Sequence, residues 1–354
     1  MKELRSHKLY IEDLEYVAGL DLPWHKLCDT SIMISGATGM IGSFLIDVLM
    51  YCNEKNQTKC HIYALGRNRE KAEERFGDYF KSEWFDFITC DINNPISIDE
   101  SVKADYIIHL ASSTHPLAYS EHPIGTITAN VFGTYYLLEY AAKCNARRVA
   151  IASSNEIYGE NRGDKELFEE AYCGYIDCNT MRAGYPESKR CAEAMCQAYI
   201  REKNMDVVIP RLTRSYGPTL LSSDTKALSQ FIHKALAGED IVLKSAGTQY
   251  FSYCYTADSV SGLLFVLLKG ENGNAYNIAD TASDIRLKDL AECIAESVGR
   301  KVIFDLPEEA EAMGYSKATK ARLDGSKLKK LGWNMKYDIN EGIKRTLQMM
   351  KTME

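Results

Sequence analysis

Short runs rich in β-branched and aromatic residues alternate with longer amphipathic stretches through the first half of the chain. The runs at 31–35 (SIMIS), 61–65 (HIYAL), 85–89 (FDFIT), 106–110 (YIIHL) and 148–152 (RVAIA) predict buried strands. Between them the spacing predicts helices: one following Gly39, one from about Arg69, and a long one over roughly 126–143. A further stretch, 185–202, carries Ala192, Met195, Ala198 and Tyr199 at helical spacing, and a strand at 206–211 follows it. Strands and helices in alternation point to βαβ units and a parallel sheet covered on both faces. Past Gly217 the order becomes mixed: helix 225–237, strands 241–244 and 250–255, helices 258–269 and 286–298. The pattern therefore predicts an α/β fold, a doubly wound parallel sheet with a smaller mixed α/β C-terminal portion. Residues 1–29 form an N-terminal extension, 30–210 the main unit, and 211–354 the smaller portion, partly interleaved with the first.

At 354 residues and 45% hydrophobic, the chain can bury a full core. Its first residues, MKELRSHKLYIEDLEYV, are charged and lack an apolar centre. They read as a short helix packed on the main unit through Tyr10, Leu14 and Val17, not as a secretion signal. No stretch reaches the ~18 consecutive apolar residues of a membrane span. The net charge of -7 offers no basic footprint for nucleic acid, so an anionic substrate needs locally placed Arg, Lys or helix N-termini. Eleven cysteines, odd in number and without a CxxC pair, read as reduced thiols of a cytoplasmic protein, and no metal site is expected.

The segment from Ser31 runs a strand into Gly36-Ala-Thr38-Gly39-Met40-Ile41-Gly42 and then into a helix. Glycine allows a tight turn and lets backbone N–H groups approach a pyrophosphate, while the helix N-terminus faces the negative charge. The GxxGxxG spacing resembles the short-chain dehydrogenase/reductase superfamily, which implies a Rossmann-type NAD(P)-binding domain over 30–210. The second strand ends Leu65-Gly66-Arg67-Asn68, without the acid that would bond ribose hydroxyls. Arg67 stands where a 2′-phosphate would sit, a lean toward NADP over NAD, although it could equally stack on adenine; Asn68 follows it. The superfamily places an Asp at the adenine after the third strand, here Asp91 with Ile92, and Leu110, Ala111 and Ser112 beside the cofactor.

Tyr185-Pro-Glu-Ser-Lys189 sets a phenol and an ammonium four residues apart on one helical face. A Tyr hydroxyl titrates near ~10, too high for a base at neutral pH. A neighbouring ammonium, together with a nicotinamide's positive charge, favours the phenolate and makes it a proton acceptor. A hydroxyl at the end of the fifth strand completes the set, with Ser154 preferred and Ser153 the alternative.

These motifs resemble the extended short-chain dehydrogenases that act on nucleotide sugars, the NAD-dependent epimerase/dehydratase family, from about residue 30 onward. The nearest pattern is that of the UDP-glucuronate decarboxylases. It is carried by His109-Leu-Ala-Ser-Ser-Thr-His-Pro116, Pro123 to Thr134, Arg182-Ala-Gly-Tyr185-Pro-Glu-Ser-Lys189-Arg190, Tyr216-Gly-Pro218 and Leu331-Gly-Trp333. The resemblance implies Asn130 beside the cofactor, Ser113 and Asn155 beside the substrate, and 211–354 as the substrate-binding portion. It also implies a homodimer through a four-helix interface. Glu156 matches the carboxylate of a Thr-x-Glu element in enzymes that work at C5 after forming a 4-ketone. Tyr185 is then base and acid, Lys189 its electrostatic support, Ser154 the proton bridge and Glu156 the group near C5. Asn155 replaces the Asp that 4,6-dehydratases often carry. Phe251 takes the place of an Arg that holds the nucleotide, and Arg214 or Ser215 that of an Asn. Phosphate contacts are expected to have moved, to Arg214, Gln230 or Arg322. The leading expectation is a redox-neutral decarboxylase. A 4-epimerase, a 4,6-dehydratase, a net NADPH-dependent reductase and an NAD(P)-binding regulatory protein remain open.

Overall fold

A computed structural model of the chain describes residues 2–99, 101–112, 121–305 and 320–352. Its centre is a parallel sheet. The strands β1 (Ser31–Ser35), β2 (His61–Gly66), β3 (Phe85–Thr89), β4 (Tyr106–His109), β5 (Arg148–Ile151), β6 (Ser153–Ser154) and β7 (Val207–Leu212) come from residues 31–212. Two residues on lies β8 (Arg214–Tyr216), then β9 (Ile241–Leu243), β10 (Tyr250–Tyr255), β11 (Ala275–Ile278) and β12 (Asp284–Arg286). The sheet runs β11-β7-β5-β4-β1-β2-β3, with β6 also pairing β7. Strands such as β1 and β4 are buried nearly throughout because helices cover both faces. β11 comes from the second half of the chain yet pairs with β7, register Ala275↔Ile209. The second half therefore supplies an edge of the main sheet as well as a small sheet of its own, in which β10 pairs β8 and β12.

Local chemistry sets the helix limits. The helix α1 (Lys8–Ala18) is followed by α2 (Met40–Asn56), α3 (Arg69–Phe76), α4 (Pro123–Cys144) and α5 (Gly184–Lys203). The start of α4 lies a few residues before the expected 126. Pro123 occupies its first turn, where the missing N–H costs nothing. It ends at Asn145, whose left-handed φ of 53° closes the last turn. The amphipathic α1 does pack through Tyr10, Leu14 and Val17, all buried. Buried polar bonds tie it to both halves of the molecule. Tyr10 donates to Asp47 of α2, which also pairs with Arg75. Asp13 accepts from Tyr255 at 2.6 Å and from Arg345 of the last helix, Ile339–Lys351, at 2.8 Å.

Candidate active site

The C-terminal ends of β1, β2, β3 and β4 open onto a cleft of about 810 Å³. Gly36, Thr38 and Gly39 form one wall, and Leu110, Ala111 and Ser112 another. Gly36 has a φ of +71°, and a Cβ there would lie 2.7 Å from the Ala111 nitrogen, so the turn and the floor of the cleft meet backbone to backbone. Gly39 is the N-cap of α2 and contributes no side-chain cap, which leaves the first N–H groups of that helix for an anion. Met40 and Ile41 form its first turn, where the Met40 carbonyl accepts from Thr219 at 3.0 Å. Gly42 packs on the Gly36 carbonyl, with no room for a side chain. This cradle fits the pyrophosphate of a dinucleotide.

At the other end of the cleft stand Arg67, Asp91 and Ile92. Asn93 donates to Asp91 through its backbone and side chain, and with Arg67 nearby the carboxyl titrates below its ordinary range. Lys71 also lines this end, one turn into α3; its backbone N–H is capped by Asn68 at 2.8 Å. Sequence reasoning overlooked Lys71, although its place four residues after Arg67 at a helix start was a usable signal.

Beyond the cleft, the register Ser154↔Leu212 brings the loop after β6 alongside the loop after β7. Ser154 caps the turn Asn155–Tyr158, accepting from the Glu156 N–H at 3.2 Å, while Asn155 is buried. Tyr185 and Lys189 occupy the first turns of α5 and are buried. Tyr185 is hydrogen bonded to Ser154, and Lys189 donates to the Ala152 carbonyl at 2.8 Å. The Ser153 hydroxyl has no partner among the described residues. A chain of side chains joins the cleft to this helix. Ser112 donates to Asn130 Oδ1 at 2.7 Å, Asn130 Nδ2 to Ser188 Oγ at 2.9 Å, and Ser188 to the Tyr185 carbonyl at 2.8 Å. Arg190 holds the helix to the loop, donating to the Ile157 and Gly174 carbonyls.

Burial pushes the Tyr185 hydroxyl up to about 12; the Ser154 hydrogen bond opposes this and the Glu156 charge adds to it. Burial also lowers the Lys189 ammonium to about 8, against the pull of Glu193. At neutral pH the pair therefore stands as a phenol beside an ammonium. His109, which opens one of the segments that carry the family resemblance but was given no role of its own, is fully buried with Nδ1 2.7 Å from Ser35 Oγ. Burial and the nearby Lys189 charge hold it neutral, down to about 3.

The expected substrate contacts separate. Arg214 comes to Glu156, with 3.7 Å between Nη2 and Oε1, and its guanidinium lies 3.7 Å over the Phe251 ring. Arg322 is held by Asp284 at 2.6 Å and Glu166 at 2.7 Å, over the Tyr250 ring. Gln230 is exposed and donates to the Thr225 carbonyl at 2.8 Å. Ser113 lies outside the described residues.

The model of the NAD dependent epimerase/dehydratase family matches residues 32–279. UDP-glucuronic acid decarboxylase 3 of Arabidopsis thaliana is 32% identical over 325 residues, 90% of this chain and 89% of that protein. Among solved structures, dTDP-glucose 4,6-dehydratase from Streptomyces venezuelae with NAD and TYD bound superimposes with a TM-score of 0.77 at 22% identity, covering 91% and 97%. UDP-glucuronic acid 4-epimerase from Bacillus cereus, in complex with UDP-glucuronic acid and NAD, gives 0.76 at 19%, covering 92% and 100%. At such identities these two structures speak for the fold.

Proposed function

Because the chain belongs to the NAD dependent epimerase/dehydratase family, we propose that it is a nucleotide-sugar enzyme working through a transient 4-keto sugar, most like a UDP-glucuronate decarboxylase. The observation that carries this reading is Tyr185 bonded to Ser154, with Glu156 next along the chain, joined through Ser188, Asn130 and Ser112 to a cleft whose glycine turn fits a dinucleotide. A bound dinucleotide would supply reversible hydride removal at C4. Once the positive charge of a bound nicotinamide had brought its hydroxyl down to the phenolate, Tyr185 would take the C4 hydroxyl proton with Ser154 as the bridge, and later return it. Lys189, one turn along the same helix, is the cation that favours the phenolate. A ketone at C4 turns the sugar acid into a β-keto acid; the bond from C5 to the carboxyl carbon breaks, CO2 leaves, and its electron pair passes into the C4 oxygen. Glu156 is the group assigned near C5, where a proton drawn from solvent replaces the lost carboxyl. Asn155 has no acidic proton to transfer to a leaving hydroxyl, which disfavours a 4,6-dehydration.

Arg67 and Lys71, with no acid at the end of β2, support NADP over NAD. A second copy of the chain is the expected cover for the exposed side chains Ile124, Ile127, Phe132 and Tyr135 of α4, giving four helices across the contact. The eleven free cysteines suit the cytoplasm. The deciding experiment is product mass after incubation with UDP-glucuronate. Loss of CO2 without net cofactor consumption supports the reading; unchanged mass with a new stereoisomer moves the assignment to a 4-epimerase.

A further inference from the structure

One guanidinium beside the reacting groups has an incomplete set of partners. Parallel pairing sets Leu212 against Ser154, so two residues further along each chain Arg214 and Glu156 leave the sheet edge side by side. Arg214 Nη2 meets Glu156, the Phe251 ring lies against the guanidinium, and Nη1 is buried with no hydrogen-bond partner among the described residues. A buried N–H on a charged group is costly until an acceptor is provided. We infer that Arg214 is the residue that selects an acidic sugar, its Nη1 donating to the carboxylate borne on C5. This rests on the nucleotide-sugar reading above and adds the group that distinguishes a uronate from a neutral hexose.

The choice of carboxylate over diphosphate follows from position. The C4 oxygen has to lie at Tyr185 and Ser154, and C5 is the next ring atom. Glu156, whose N–H bonds Ser154 Oγ, is the immediate neighbour of that point, and Arg214 is held against Glu156. The diphosphate hangs from C1, across the ring. The charges also suit a carboxylate that must depart. A lone arginine would stabilise the ionised ground state and slow CO2 loss, because only binding that favours the transition state accelerates the step. Sharing the guanidinium with Glu156 leaves one directed donor without the full positive charge. Phe251 stacks on the planar group and fixes that donor's direction. A neutral hexose leaves Nη1 unsatisfied, the arrangement by which a buried polar group rejects an analogue lacking its partner.

The test is calorimetric binding of UDP, UDP-glucose and UDP-glucuronate to the cofactor-loaded full chain carrying Tyr185→Phe to stop turnover, with position 214 as wild type, Arg214→Met and Arg214→Lys; CO2 release is read separately with Tyr185 intact. Wild type is expected to prefer UDP-glucuronate to UDP-glucose. Arg214→Met should lose roughly ten- to a hundredfold for UDP-glucuronate while UDP and UDP-glucose are unmoved. Arg214→Lys should restore part of the loss. Unchanged UDP binding also certifies the fold of each variant. Equal weakening of all three ligands would assign Arg214 to the diphosphate and overturn the inference. Absence of any preference in the wild type would do the same. A wild type that prefers UDP-glucuronate but releases no CO2 sinks the decarboxylase reading alone; CO2 release with unaltered selectivity in Arg214→Met sinks this inference alone.

Discussion

Replacing Gly36 by alanine perturbs the point where the phosphate-binding turn touches the floor of the cleft. The backbone there has a φ of +71°, and the added Cβ would meet the Ala111 nitrogen at 2.7 Å, the Leu110 carbonyl carbon at 2.8 Å and the Ala111 Cα at 2.9 Å. A left-handed conformation costs a non-glycine residue about 1–2 kcal/mol. All three contacts are backbone atoms at the end of β4, so relief requires the strand end itself to move, an overpacking cost of about 1–3 kcal/mol. The sum is roughly 2–5 kcal/mol, a substantial part of a typical folding free energy. Gly39→Ala is the matched control. Its φ is ordinary, and its only close neighbour is the Gly36 carbonyl oxygen at 3.1 Å, so it should cost under about 1 kcal/mol. Thermal melting monitored by circular dichroism should show Gly36→Ala falling by roughly 3–7 °C, with Gly39→Ala close to wild type. Titration with NAD and NADP well below the lower melting temperature should show at least tenfold weaker binding by Gly36→Ala, because relief displaces Ala111 on the cleft floor. A Gly36→Ala protein that melts with wild type and binds either dinucleotide normally would refute the backbone-to-backbone argument.

Tyr185→Phe keeps the buried ring and removes the proton carrier; turnover should fall by roughly 10²–10⁴-fold in kcat, with dinucleotide binding retained, as read by product mass spectrometry and fluorescence titration. The pH profile of kcat/KM reports the free enzyme. Lys189, lowered to about 8 by burial, should give a falling alkaline limb near that pH as the ammonium is lost, and Glu193→Gln should move the limb lower because Glu193 holds the value up. An alkaline limb unmoved by Glu193→Gln would assign it to another group. Arg345→Met leaves Asp13 buried beside Tyr255 without its cation, and denaturant unfolding should show a loss of about 3–5 kcal/mol. A loss under about 1 kcal/mol would mean that the N-terminal helix is not secured by that pair.

How far the sequence reaches depends on how much chain each feature needs. β1, β3 and β10 run over the expected residues, since an apolar run bounded by turn residues is a local signal. The glycine turn and the Tyr185/Lys189 pair were equally legible, each being complete within a few residues that must adopt one local geometry. β11 was not expected. Its residues Ala275–Ile278 are few, and what makes them a strand is the open edge of β7, far away in sequence. The last helix, Ile339–Lys351, escaped notice although Asp338 caps it by accepting from Glu341 N–H. His109 was absorbed into an apolar run because a neutral, buried imidazole behaves as part of the strand; only the closeness of Ser35, its register partner on β1, shows that it is hydrogen bonded.

Arg214 and Phe251 show where linear reading stops and three-dimensional reading begins. Taken along the chain they are separate departures from the decarboxylase pattern, a cation lost at 251 and one gained at 214. Parallel pairing of β8 with β10 sets Arg214 against Tyr253, two residues from Phe251 on the same strand and therefore on the same face. The Arg214 guanidinium accordingly lies over the Phe251 ring. In this chain the positive charge stands on the strand beside position 251, and the aromatic ring is its support. The two differences thus act as one. Restoring arginine at 251 alone would force two guanidinium groups together, and removing Arg214 alone would leave Glu156 without its cation. The pocket thereby presents one positive group beside Glu156.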